Sequence, residues 1–130
     1  MNVGILAVAA YVPRYRLPVS TLAEVHGRRY GSGERSVASY DEDSLTLAAE
    51  AIAALPSPAP LGALLFASST PPLLQHDVAP VLAAVLDAPP GVFTADVTGG
   101  GRAGLAALRL GMELADHDVP VGRPDGGVGD

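Results

Sequence analysis

The turn Asp96-Val97-Thr98-Gly99-Gly100-Gly101-Arg102-Ala103-Gly104 is where this sequence comes nearest to chemistry. A β-rich run, Val92-Phe93-Thr94-Ala95, leads into it, and an apolar helical stretch leads out. In many α/β enzymes such a strand-to-helix turn presents a nucleophile, because a helix N-terminus stabilises developing negative charge. Here three consecutive glycines occupy the turn, and the chain has no cysteine. It has the form of an active-site elbow without a reactive side chain. The glycine amides can cradle an anion; the same residues also suit a tight turn where backbone approaches backbone. A phosphate-binding P-loop is excluded, because no Lys-Ser/Thr pair follows. Gly99, Gly101 and Gly104 match the dinucleotide spacing, but the turn follows the third predicted strand, and no strand-borne acid lies about 20 residues on.

Three other groups of residues could do chemistry. Arg14, Arg16, Arg28, Arg29 and Arg35 cluster in the N-terminal third. They suit the phosphates of a nucleotide-like ligand, or are solvated surface charges. Asp41-Glu42-Asp43 offers carboxylates for a metal, or an acidic helix N-terminus. His76 follows Thr70-Pro71-Pro72 and could serve as a general base, but no nucleophile lies within sequence reach. His26, His76 and His117 lack metal-ligand spacing.

Composition narrows the classes. The chain has 130 residues, enough for one domain or one half of a two-fold repeated fold. Hydrophobic content of 48% supports a globular core. A net charge of −6 argues against nucleic acid as the main partner. All eight basic residues are arginines, which with the Ala, Gly and Pro bias reflects a GC-rich coding sequence rather than chemistry. Without cysteine, disulfides, thiolate metal sites and a thiol nucleophile are excluded within the chain. Gly, Pro or charge interrupts every apolar run before it reaches membrane-spanning length. The start, Met1-Asn2-Val3-Gly4, carries no basic n-region, so the expectation is a cytoplasmic protein.

The elements that must position these groups follow from periodicity. Residues 3–12 read as a buried strand, 11–18 as a turn, 20–28 as a short helix, and 30–40 as a loop. The acids at 41–43 precede a helical run at Leu45, Ala48, Ala49, Ile52 and Leu55, which Pro56, Pro58 and Pro60 end. Residues 61–68 are a second buried strand. Val78, Val81, Leu82, Val85 and Leu86 predict a helix from about Asp77, with Pro80 tolerable in its first turn. Residues 92–97 form the third strand and 102–115 the last helix. That helix is apolar on nearly every face, so it is built for burial on all sides. The chain itself offers too little surface to cover it. Residues 116–130 read as a disordered tail. The predicted order β-α-α-β-α-β-α implies a mostly parallel sheet covered by helices.

Four motifs, in this order and spacing, carry a resemblance: residues 11–18 (Tyr-Val-Pro-Arg-Tyr-Arg-Leu-Pro), 36–48 (beginning Ser-Val-Ala-Ser-Tyr-Asp-Glu-Asp), 65–72 (Leu-Phe-Ala-Ser-Ser-Thr-Pro-Pro), and Ala95-Asp96-Val97-Thr98 leading to Arg102-Ala103-Gly104. They resemble the N-terminal half of hydroxymethylglutaryl-CoA synthase, especially the archaeal and bacterial type. They are also similar to the third type of ketoacyl-ACP synthase. Both are thiolase-like, and the resemblance runs from about residue 3 to residue 115. It implies a thiolase-like half-domain over residues 1–115, with a buried helix after the third strand bearing the nucleophile at its N-terminus. It further implies packing against a second half and dimerisation through this region.

The departures bear on function. By the resemblance, the synthases carry an acyl-accepting cysteine where this chain has Gly101. They carry a glutamate acid/base where it has Ser69. Their histidine and asparagine lie in a second half outside this sequence. The chain also resembles Cys-free bacterial relatives associated with OB-fold zinc-ribbon modules. The resemblance therefore implies a partial domain that is inactive alone. One alternative is an acyl-CoA acyltransferase subunit active only with a partner. Another is a CoA-binding or scaffolding module using Arg28, Arg29 and Arg35. No resident cofactor is implied, although CoA or acyl-CoA suits as a ligand. Expected partners are a second copy, a second thiolase half, or an OB-fold zinc-ribbon protein, with neither nucleic acid nor membrane.

Overall fold

The computed structural model of the chain describes residues 3–56 and 61–117. Its order is β1 (Tyr15–Pro18), α1 (Val19–His26), β2 (Glu34–Val37), α2 (Ser44–Ala53), β3 (Ala63–Ser68), α3 (Val78–Val85), β4 (Phe93–Thr98) and α4 (Ala103–Asp116). β3 and β4 pair in parallel, with Ala63 opposite Phe93 and Ser68 opposite Thr98. β1 and β2 form a separate antiparallel pair, with Tyr15 opposite Val37.

Alternation along β3 builds three layers. Side chains two apart share a face of a strand. Leu64 and Phe66 are buried on one face with Val78, Ala79, Leu82 and Ala83 of α3, while Leu45, Ala48, Ala49 and Ile52 of α2 close over that cluster. Leu65 turns the other way, toward α4. There an added Cβ on Gly111 would lie 3.6 Å from the Leu65 Cδ1. The parallel pair is therefore covered by α2 and α3 on one side and α4 on the other.

Helix ends follow local chemistry where it exists. Asp43 caps α2: its side chain accepts from the Thr46 amide, and the Thr46 hydroxyl accepts from the Asp43 amide, a reciprocal capping box. α1 ends at Gly27 in the left-handed region, φ 59°.

The structure departs from the sequence-based expectations in four places. Residues 3–12 are not a buried strand: they join no ladder among the described residues, and Leu6 is 99% exposed. An apolar run supplies the side chains of a strand but not the neighbouring backbone a strand must bond to. The expected turn at 11–18 and loop at 30–40 instead contain β1 and β2, which supply each other's ladder. The parallel sheet holds two strands rather than three. α4 runs through Asp116, so the predicted tail does not begin there; from residue 118 the tail lies outside the described residues.

α4 also shows the shortage of cover that its sequence implied. Only Ala103 and Ala107 are buried, while Leu105 is 71% exposed and Leu108, Leu110 and Met112 are each more than a third exposed. Within this chain the helix is thus not buried on all sides, because only its sheet-facing edge meets an apolar partner. An apolar groove of about 590 Å³ runs along it, lined by Val3, Ile5, Leu65, Leu108 and Met112. No described helix is long and apolar enough to cross a membrane.

Candidate functional site

Parallel pairing brings the two candidate loops to one edge. Ser68 and Thr98 are register partners at the carboxyl ends of β3 and β4. Residue 69 therefore leaves the sheet beside the Gly99-Gly100-Gly101 elbow. The carboxyl edge of an open parallel sheet is where α/β folds place ligands.

At the elbow, Gly99 has φ 120°, a conformation closed to other residues without strain. Gly101 is not so constrained. Its φ lies outside the left-handed region, and a Cβ added there would meet no heavy atom within 4 Å. The Gly100 carbonyl accepts from the Ala103 amide at 3.0 Å, and α4 begins there after Arg102 as N-cap. The site thus has space for a side chain at 101 and a helix N-terminus behind it, while Gly101 itself carries no attacking group.

Ser69 is exposed on the neighbouring loop. That loop is tied at its start: Ser68 Oγ accepts from the Thr70 amide at 3.0 Å, and Ser44 Oγ donates to the Thr70 carbonyl at 2.9 Å. His76 lies exposed near the loop's far end. A serine hydroxyl there cannot replace a carboxyl group as a proton donor or acceptor near neutral pH.

The arginines do not converge on this edge. Arg28 and Arg29 follow the end of α1, and Arg35 sits on β2 opposite Leu17. All three are exposed, and the β1-α1-β2 unit that carries them makes its principal contacts within itself. Arg16 is turned to backbone, donating to the Pro13 and Tyr15 carbonyls. Arg14 stacks 5.3 Å over the Tyr15 ring.

Two of the acids at 41–43 are taken up by the fold. Asp43 caps α2. Glu42 accepts from the Tyr11 hydroxyl and, at 2.8 Å, from the Ser39 amide. The hydrogen bond to Glu42, followed by partial burial and the nearby carboxylates, pushes the Tyr11 hydroxyl above its usual 10.0. Among the described residues no three His, Asp or Glu are placed to hold a metal.

Sequence reasoning assigned no role to Asp96, which the structure makes central. From β4 its two carboxylate oxygens accept the Val78 and Ala79 amides of α3, both at 2.7 Å. A lone acid inside an apolar strand, Ala95-Asp96-Val97, was the available signal, since an unpaired carboxylate is rarely buried.

No family model matches the chain. Its sequence is similar to hydroxymethylglutaryl-CoA synthases. The protein of that name from Methanocella arvoryzae is 37% identical over 123 residues, covering 86% of this chain and 35% of its own length. The one from Methanobrevibacter smithii is 33% identical over 129 residues, covering 90% and 37%. In structure the chain is similar to β-ketoacyl-[acyl carrier protein] synthase III from Thermus thermophilus, with a TM-score of 0.75 and 28% identity, over 88% of this chain and 39% of that one. A 3-oxoacyl-(acyl-carrier protein) synthase from Burkholderia xenovorans shares the fold, with a TM-score of 0.69 and 24% identity. The fold is thiolase-like, and the chain spans little more than a third of the curated relatives it matches.

Proposed function

We propose that this chain, a thiolase-like partial domain related in sequence to hydroxymethylglutaryl-CoA synthases, does not form the acyl-enzyme of a condensing synthase and is catalytically silent by itself. One observation carries the reading. The chain has no cysteine, and Gly101, which the resemblance sets at the family's acyl-accepting position, carries no side chain. Attack on a thioester needs an electron pair on a mobile group, and backbone supplies none. Loss of a covalent nucleophile removes nearly all of the rate enhancement that depends on it. Ser69 at the glutamate position removes the proton transfer as well.

Incubation with acetyl-CoA and acetoacetyl-CoA, followed by intact-mass and peptide mass spectrometry, tests this. No adduct and no condensed product are expected. An acyl group on the polypeptide, or turnover by the purified chain, refutes the reading.

A second reading is a non-covalent or partner-dependent role in acyl-CoA chemistry. It is supported by the elbow amides at the carboxyl edge and by the uncovered apolar faces of α4. Elbow amides can polarise a thioester carbonyl while another subunit supplies the attacking group. CoA binding through Arg28, Arg29 and Arg35 would use a separate surface, because these residues stand away from the elbow edge. Calorimetry with CoA and dephospho-CoA separates this from the silent-domain reading: a phosphate-dependent heat supports it, and equal null signals remove it.

A further inference from the structure

We infer that Asp96 is a positioning residue: its carboxylate reaches from β4 to grip the start of α3 and thereby holds the loop at residues 69–77 beside the glycine elbow. The need for it arises at α3 itself. The first amides of a helix have no intrahelical acceptor. Asp77 stands at the N-cap with extended backbone, yet its side chain makes no capping bond. Val78 and Ala79 are 0% exposed, so water cannot take their amides either. Asp96, 18 and 17 residues away in sequence, accepts both. Each oxygen meets one N–H, and the negative charge lies at the positive end of the helix.

The placement gives this bond its consequence. Asp96 stands two residues before Thr98, the last residue of β4 and the register partner of Ser68. The loop leaving Ser68 is held at its start through Ser44 and Thr70, and at its end through Asp96. Both loops of the carboxyl edge are thus referenced to β4. Without the carboxylate, residues 69–77 keep the Ser44–Thr70 bond and the packing of Leu73 on the core but lose the polar tie at their end, and His76 loses its fixed relation to Gly101. The consequence for ligand binding rests on the second reading above; the consequence for the loop does not.

The test compares the unmodified chain with Asp96→Asn and Asp96→Ala, well below the melting temperature of all three. Hydrogen exchange is followed at residues 69–79 and, as reference, across β3 and α4, alongside calorimetric titration with acetyl-CoA. Exchange at 69–79 is expected to rise roughly tenfold or more in Asp96→Ala, the size of a lost helix cap, with β3 and α4 little changed. Asp96→Asn, which keeps one acceptor oxygen and the side-chain shape, falls between. If the unmodified chain binds acetyl-CoA, affinity falls in the same order, which supports the inference. If it does not bind while the loop still responds, the positioning role stands and the acyl-CoA reading fails. A uniform rise across the chain, or an unchanged loop, overturns the inference.

Discussion

Restoring a thiol at the elbow asks whether Gly101 truly stands at a nucleophile's position. Gly101→Cys should fold without strain, because its backbone avoids the left-handed region and an added Cβ meets nothing within 4 Å. Stability should change by less than about 1 kcal/mol, with a small gain from a stiffer unfolded chain. The new sulfur sits immediately before the N-cap Arg102 of α4. A helix N-terminus favours a nearby anion by about 0.5–2 kcal/mol. At about 1.36 kcal/mol per pKa unit, that lowers a thiol by roughly 0.4–1.5 units. The introduced thiol should then titrate between about 7 and 8 rather than near 8.5. The pH dependence of iodoacetamide alkylation reads this directly, and the chain contributes no other thiol. Free cysteine in the same buffer is the control and reacts as an ordinary thiol. Incubation of the Gly101→Cys variant with acetyl-CoA should acetylate its thiol slowly and give no condensation, since no carboxyl group stands at residue 69. An elbow thiol that titrates at or above the control refutes the elbow geometry, and so does a loss of stability of several kcal/mol.

Three further outcomes are expected. Gly99→Ala should cost about 1–3 kcal/mol because φ 120° is strained for any side chain, while Gly101→Ala should be nearly neutral; chemical denaturation distinguishes them. Leu82→Ala, at a side chain 1% exposed between α3 and β3, should cost about 3–4 kcal/mol by the same measurement. Tyr11 should ionise above the usual 10.0 in an ultraviolet titration, and Glu42→Gln should bring it back down. Because the neutral hydroxyl is the donor, its contribution to stability is complete below pH 10 and is lost as pH rises through the raised value.

Much of the right-hand half of the chain was legible. The α2 start could be read from the acids at 41–43 ahead of an apolar period, and Asp43 proves to be its cap. β3, α3, β4 and α4 appear within a residue or two of their expected places, since each carries a strong apolar period between turn residues. The left-hand half was less legible. Residues 3–12 have the composition of a strand but no ladder among the described residues, whereas the polar stretch around Arg35 pairs because β1 lies opposite. At the site, the positions of Ser69 and Gly101 on one edge follow from parallel strands, but the arginines that clustered in sequence stand apart from it.

The absence of a sulfur nucleophile was determined by the sequence alone: no arrangement of the chain can supply a thiol that no residue carries. Local helix caps and apolar periods were likewise set within a few residues of chain. Only the tertiary structure decided that Asp96 serves a helix 17 and 18 residues before it, that Tyr11 meets Glu42, and that Arg35 pairs on β2 opposite Leu17. Such contacts depend on which distant segments the fold brings together, and composition does not encode that pairing.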